Sequence, residues 1–178
     1  MAVAVTVGSH PLRGQQPADH TDPEAKRLVK AATASLPSGD DARGEALVSG
    51  KGACLSCHQV GARGSRLGPD LSEIGVVRTA PELYESLVNP AALVLPEGRF
   101  FKVVTREGVS VTGRLMNLDT YTVLLMDSKE QLRSFDKASL REYSFVKGST
   151  MPSYRATLTS QELADVIAYL GTLKGTSE

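Results

Sequence analysis

At 178 residues the chain is long enough for one domain with an elaboration, or for two small domains. Its 20 Lys and Arg balance its 20 Asp and Glu, which leaves no electrostatic footprint for nucleic acid or an anionic membrane surface. No apolar run approaches the ~20 residues of a transmembrane helix.

Residues 1–10 carry a short apolar run but lack the basic start and full apolar stretch of a secretory signal. They read either as the remnant of a signal or as a disordered N-terminus. Residues 9–22 are polar, with Pro11, Gly14 and Pro17, and read as a linker. Asp22-Pro23-Glu24 then looks like a helix start, Asp22 as N-cap and Pro23 at the first helical position. The helix should run to about Leu36 and be peripheral, because Leu28, Val29 and Leu36 are almost its whole apolar content.

Asp40 or Asp41 caps the next helix, through Val48, and Gly50 and Gly52 end it. Gly44 lies inside it at a cost of about 1 kcal/mol relative to Ala, which points to another helix crossing at close approach. Cys54-Leu55-Ser56-Cys57-His58 follows at once. This C-x-x-C-H pattern is the signature of c-type haem attachment. Two intervening residues let both thiols reach one porphyrin edge as thioethers, and the histidine falls beneath the iron as proximal ligand. The motif uses both of the chain's 2 cysteines. A thioredoxin-type disulfide would need a βαβ context, and zinc would need four ligands. His10 and His20 have no ligand-like spacing. Covalent haem is attached outside the cytoplasm, so a periplasmic or otherwise exported protein is expected.

After His58, three glycines between Gly61 and Gly68 make an irregular loop. A metal-bound histidine usually donates its second ring N–H to a carbonyl or carboxylate. The Gly68-Pro69 backbone is the best candidate for that acceptor, proline's fixed φ holding a carbonyl in place. Arg63 and Arg66 read equally as haem-propionate partners or as surface arginines. Thr79-Ala80-Pro81-Glu82 is a capping box, Leu83, Tyr84, Leu87 and Val88 give its helix one apolar face, and Asn89-Pro90 ends it.

From Arg99 to Phe145 the period changes to alternation rich in β-branched and aromatic residues. Strands are expected at 100–105, 109–115, 121–126, 131–135 and 140–145, as a small antiparallel meander or partly closed barrel. A Gly/Ser/Pro-flanked loop holding Met151-Pro152 follows, then a second capping box, Thr159 with Glu162, and a staple of Leu158 on Leu163. Leu163, Val166, Ile167 and Leu170 recur at helical spacing, and Tyr169 is placed to cross the helix of Gly44.

Together Gly44, the C-x-x-C-H of residues 54–58, Gly68-Pro69-Asp70-Leu71, Met151-Pro152 and Tyr169-Leu170 resemble the class I c-type cytochromes, in order and in chemistry. The resemblance implies a mainly α cytochrome c core, three to four helices around one covalently attached haem c. It implies His58 as proximal iron ligand, Met151 as distal ligand and Pro69 as the prop behind the histidine. Met151 suits that role by context too: Met116 and Met126 lie in or beside strands, where alternation makes them core residues, and Met1 is at the chain end. The core would comprise residues 39–98 and 146–178, with 1–38 as signal remnant, linker and peripheral helix. Residues 99–145 would form an inserted small antiparallel β subdomain, as in a bacterial subgroup associated with quinoprotein-like dehydrogenases. The helices that bury the haem lie outside this insertion, although Phe100, Phe101 and Leu115 are placed to share the core's apolar surface. The implied function is electron transfer between redox protein partners, a dehydrogenase or oxidase, with no catalytic residues. The rival readings are a peroxidase-like haem enzyme with an open sixth position, and a haem-containing docking or sensor module.

Overall fold

The computed structural model describes residues 22–92 and 99–175. The expected signal remnant and most of the linker, with Met1, His10 and His20, lie outside the described residues. In chain order the elements are α1 (Pro23–Ala34), α2 (Asp41–Ser49), a 3-10 turn at Cys54–Ser56, a two-residue ladder of β1 (Gln59–Val60) and β2 (Arg63–Gly64), α3 (Ile74–Val77) and α4 (Ala80–Val88). A sheet follows, β3 (Phe100–Thr105), β4 (Ser110–Leu118), β5 (Thr122–Met126), β6 (Leu132–Asp136) and β7 (Leu140–Phe145), and α5 (Ser160–Thr172) closes the fold. Among the described residues no helix is long and apolar enough to cross a membrane.

The helix starts follow from their caps. Asp22 accepts a hydrogen bond from the Glu24 amide, and Asp40 from that of Arg43. Thr79 with Glu82, and Thr159 with Glu162, form reciprocal capping boxes on α4 and α5, each pair satisfying amides that a helix start leaves unpaired. The staple residues Leu158 and Leu163 are both buried. The sequence reading anticipates four of the five α-helices among the described residues; α3, four residues long, is the addition.

Helices α2 and α5 cross through Gly44. A Cβ at Gly44 would stand 2.0 Å from the Asp165 carbonyl oxygen and 2.7 Å from the Tyr169 Cβ, so only glycine fits between these backbones. Beside the crossing, Asp165 is 2% exposed. Its carboxylate accepts from Arg43 Nε and Nη2, the Asp40 amide and Gln161. The buried charge is therefore both paired and hydrogen-bonded, the condition under which burial is tolerated. Leu83, Leu87, Val48, Val166 and Leu170 pack with Tyr154 and Tyr169 into one apolar core.

The sheet runs in the order β6-β5-β4-β3-β7, all antiparallel. The meander thus returns its last strand to its first, as a partly closed barrel would. Its own core, with Phe101, Val103, Val123, Leu125 and Leu140, is separate from the helical one. Of the three residues placed to share the helical surface, Phe101 and Leu115 belong to this second core, while Phe100 lines the cavity among the helices. Two expectations need correction. The β region is not small: among the described residues there are seven strands, five of them in the sheet of residues 100–145, and β4 alone has nine residues, because pairing continues past a bulge. That bulge, a register shift between Leu115 and Asn117, also displaces Met116 from the alternation. Met116 is 46% exposed, whereas Met126 is buried as expected.

Two outcomes follow. Helix propensity alone favours Gly44→Ala by about 1 kcal/mol, but the crossing should make it destabilising, by roughly 1–3 kcal/mol or more, read as a lower midpoint in denaturant. Arg43 above all holds the Asp165 carboxyl down at about 2, below its unfolded value of roughly 3.9. Its contribution to stability is therefore complete at neutral pH and fades as pH falls from about 4 towards 2. Asp165→Asn should lower Tm at pH 7 and flatten that part of its acid dependence.

Candidate haem site

The C-x-x-C-H segment begins where α2 stops. The Gly52 amide donates to the Leu47 carbonyl, and Ala53 adopts a left-handed φ of 48°, which turns the chain sharply. Cys54 to Ser56 then form one 3-10 turn, and the Cys54 carbonyl accepts from the amides of both Cys57 and His58. This tight turn brings the two thiols and the imidazole to one wall. Cys57 is exposed and Cys54 half-buried. Burial pushes the Cys54 thiol above its ordinary pKa, opposed by a contact with the Tyr154 hydroxyl at 3.9 Å. Tyr154 in turn donates to the Gly52 carbonyl, tying the loop before α5 to the start of the motif. The pair is flanked by a helix and an antiparallel ladder, not by a βαβ unit.

His58 Nδ1 lies 2.7 Å from the Pro69 carbonyl oxygen. A carbonyl can only accept, so Nδ1 carries the proton and Nε2 keeps its lone pair. Burial lowers the pKa of His58, with the Pro69 bond opposing; the neutral ring is the form that binds a metal. Gly68 is packed flat against the same ring. A Cβ there would stand 2.8 Å from Nδ1 and 2.9 Å from Cε1. The Gly68 amide donates to the Cys57 carbonyl, and Leu71 to that of Gln59. The glycine before Pro69 is thus required for contact with the ring, a reason that spacing alone does not disclose.

Cys54, Cys57, His58, Pro69 and Met151 all line one cavity of about 1030 Å³. That volume suits a large, flat cofactor and lies at the upper end of small-molecule pockets. Leu71, Ile74, Leu83, Leu87 and Leu170 make much of its wall apolar. Met151 is half-buried, in a loop pinned to α4 by Ser153 Oγ to the Val88 carbonyl and by the Tyr154 amide to that of Leu87. Met116 and Met126 face a different, smaller cavity. Among the described residues Met151 is therefore the methionine on the wall that His58 shares. The donor set, two thiols at haem-attachment spacing, an imidazole with a free Nε2 and a thioether, fits haem c. Among the described residues no three of His, Cys, Asp and Glu converge on a metal site.

Arg63 and Arg66 do not line this cavity. Arg63 pairs with Glu45 at 2.7 Å and Arg66 with Glu130 at 3.2 Å, which favours the surface reading of both. The basic groups on the cavity wall are Lys26, Lys30, Lys51 and Arg78, of which Lys51 already pairs with Glu162 and Arg78 with Glu82. Helix α1 has no buried residue, in keeping with its few apolar side chains, yet Ala25, Lys26, Val29 and Lys30 face the cavity. This edge of the site goes unread in the sequence because the helix's apolar stripe is so sparse.

Gly68→Ala should push the His58 ring off the Pro69 carbonyl. The expected outcome is a chain that folds, by far-UV circular dichroism, but attaches at most about a tenth as much haem in a haem-attaching host, in line with the 10–100-fold losses typical when a ligand's supporting hydrogen bond is disturbed.

No protein-family model matches the chain, and no curated protein matches it. The residues themselves carry the assignment: a c-type cytochrome-like haem-binding motif, Cys54-x-x-Cys57-His58, set in a mixed fold of helices and an antiparallel sheet.

Proposed function

We propose that this protein is an exported, mono-haem c-type cytochrome of the kind that carries a β insertion before its methionine loop. It passes single electrons from one redox protein, a dehydrogenase of quinoprotein-like type, to another acceptor such as an oxidase. Cys54 and Cys57 would hold the haem covalently, His58 through Nε2 and Met151 through Sδ would ligate its iron, and Pro69 would orient the histidine. Residues 39–98 and 146–178 act as the cytochrome core, and 99–145 as the inserted subdomain. The observation that carries the reading is the convergence on one cavity of both cysteines, His58 with Nε2 unprotonated, and Met151.

A haem bound there supplies a one-electron couple whose potential depends on axial ligand, burial and hydrogen bonding. The protein's part is to hold that couple still. The Pro69 carbonyl fixes the tautomer of His58, the apolar walls exclude water, and Pro152 stiffens the loop beside Met151. Carriage needs no substrate pocket beyond the haem itself. The enzyme reading requires a displaceable sixth ligand, so Met151 discriminates the two.

Intact mass of the secreted protein should exceed the polypeptide by one haem, and denaturation should not release it. Met151→Ala should abolish the sulfur-to-iron charge-transfer band of the oxidised spectrum. It should also lower the reduction potential, because methionine ligation favours reduced iron, and admit imidazole or carbon monoxide. Met126→Leu should do none of these. An unchanged spectrum and potential in Met151→Ala would move the enzyme reading ahead of the carrier.

A further inference from the structure

The sheet reaches across to the loop behind His58. Arg114, on β4, donates from Nη1 to the Arg66 carbonyl at 2.6 Å and to the Gly68 carbonyl at 3.2 Å. Glu130, in the turn between β5 and β6, accepts from the Arg66 amide at 3.3 Å and from Arg66 Nε at 3.2 Å. The Ser65 hydroxyl, and then Arg66, hold the Glu130 carboxyl below its ordinary pKa, so the acceptor is anionic at neutral pH. Both contacts are charge-assisted, the stronger class of hydrogen bond. They hold the same loop that the Gly68 amide ties to the Cys57 carbonyl. Glu130 also sits at a φ of 59°, a left-handed conformation that glycine adopts without cost and a longer side chain adopts less readily.

We infer that Arg114 and Glu130 of the sheet are positioning residues for His58, clamping the Ser65–Gly68 loop so that Gly68 and the Pro69 carbonyl stay seated against the imidazole. This rests on the haem reading above and deepens it: the β insertion tunes the proximal side of the site. The physical path is short. Arg114 fixes the Gly68 carbonyl, which belongs to the peptide leading into Pro69, and the Pro69 carbonyl takes the His58 proton. A firm hydrogen bond at Nδ1 raises the ligand's basicity and favours oxidised iron. A loosened loop weakens it and raises the potential.

The test uses the full, haem-bearing chain. Arg114→Lys keeps the charge, but its ammonium ends one atom short of the place from which Nη1 reaches both carbonyls, so a change in potential there reports His58 and not a lost charge. The potential should rise. In the reduced protein, hydrogen exchange of the Gly68 amide and the His58 ring N–H should quicken about tenfold, the scale of one lost charge-assisted bond. Glu130→Gly relaxes the strained turn, so the sheet should be as stable as before or more so, yet the same two protons should exchange faster. Arg133→Ala, which removes a sheet arginine paired with Asp127, should move neither readout. If Arg114→Lys and Glu130→Gly both bind haem with unchanged potential and exchange, the clamp is overturned and the haem reading stands. A wild-type chain that takes up no haem overturns both.

Discussion

The hydrogen bond from His58 Nδ1 to the Pro69 carbonyl is the constraint on which the rest of the site depends. It decides which ring nitrogen keeps a lone pair, and so which way the imidazole can ligate. The bond exists only because Gly68 lets the backbone lie against the ring, where a Cβ would be 2.8 Å from Nδ1. Gly68 in turn is held by the Cys57 carbonyl, one residue before the histidine. The loop therefore closes on the motif it serves, in a ring of contacts that includes no long side chain except the imidazole. Such a ring loses little conformational entropy on ordering, because glycine and proline have no side-chain rotamers to freeze.

Two apolar cores surround this arrangement, and they are joined differently from the way each is built. Val48, Leu83, Val166 and Leu170 pack among helices, and Val103, Val123 and Leu125 within the sheet. Each core gains from burial, at roughly 1.5–3 kcal/mol per large side chain, and tolerates modest sliding. Between them Arg114 and Glu130 make polar, specific hydrogen bonds to individual atoms of the loop at 65–68. An apolar joint would resist separation but leave register loose. A guanidinium nitrogen bonded to two carbonyls fixes register at the place where small displacements reach the imidazole.

How much of this was legible depends on the range of each interaction. Helix α5 is readable because Thr159, Glu162, Leu163, Val166, Ile167 and Leu170 all lie within four residues of a partner in the pattern. Strands β3 and β7 are read to the residue for the same reason, alternation being local. Gly44 is readable as an anomaly, a helix breaker inside a helix, and the backbone of Asp165 explains it. By contrast, the four residues of α3 are too few to show a period, and the bulge at Met116 leaves no local trace, so its exposure is missed. The Arg66–Glu130 pair spans 64 positions. No spacing rule reaches that far, and Arg66 alone reads as well for a propionate as for a carboxylate.

The two arginines of the 61–68 loop show how the fold settles such a choice. A guanidinium goes to the carboxylate that is already held nearest to it, since ordering a long side chain costs entropy that a fixed partner offsets best. Arg63 finds Glu45 on α2, and Arg66 finds Glu130 on the sheet. Neither is then available to the cavity, and basic groups come instead from α1, where Lys26 and Lys30 stand one turn apart on its wall. Two elements outside the C-x-x-C-H segment thereby meet the loop that follows it and the cavity. The sheet bonds the loop at 65–68, and α1 lines an edge of the cavity. Both elements thus contact the surroundings of His58, which ties them to the chemistry of the C-x-x-C-H motif.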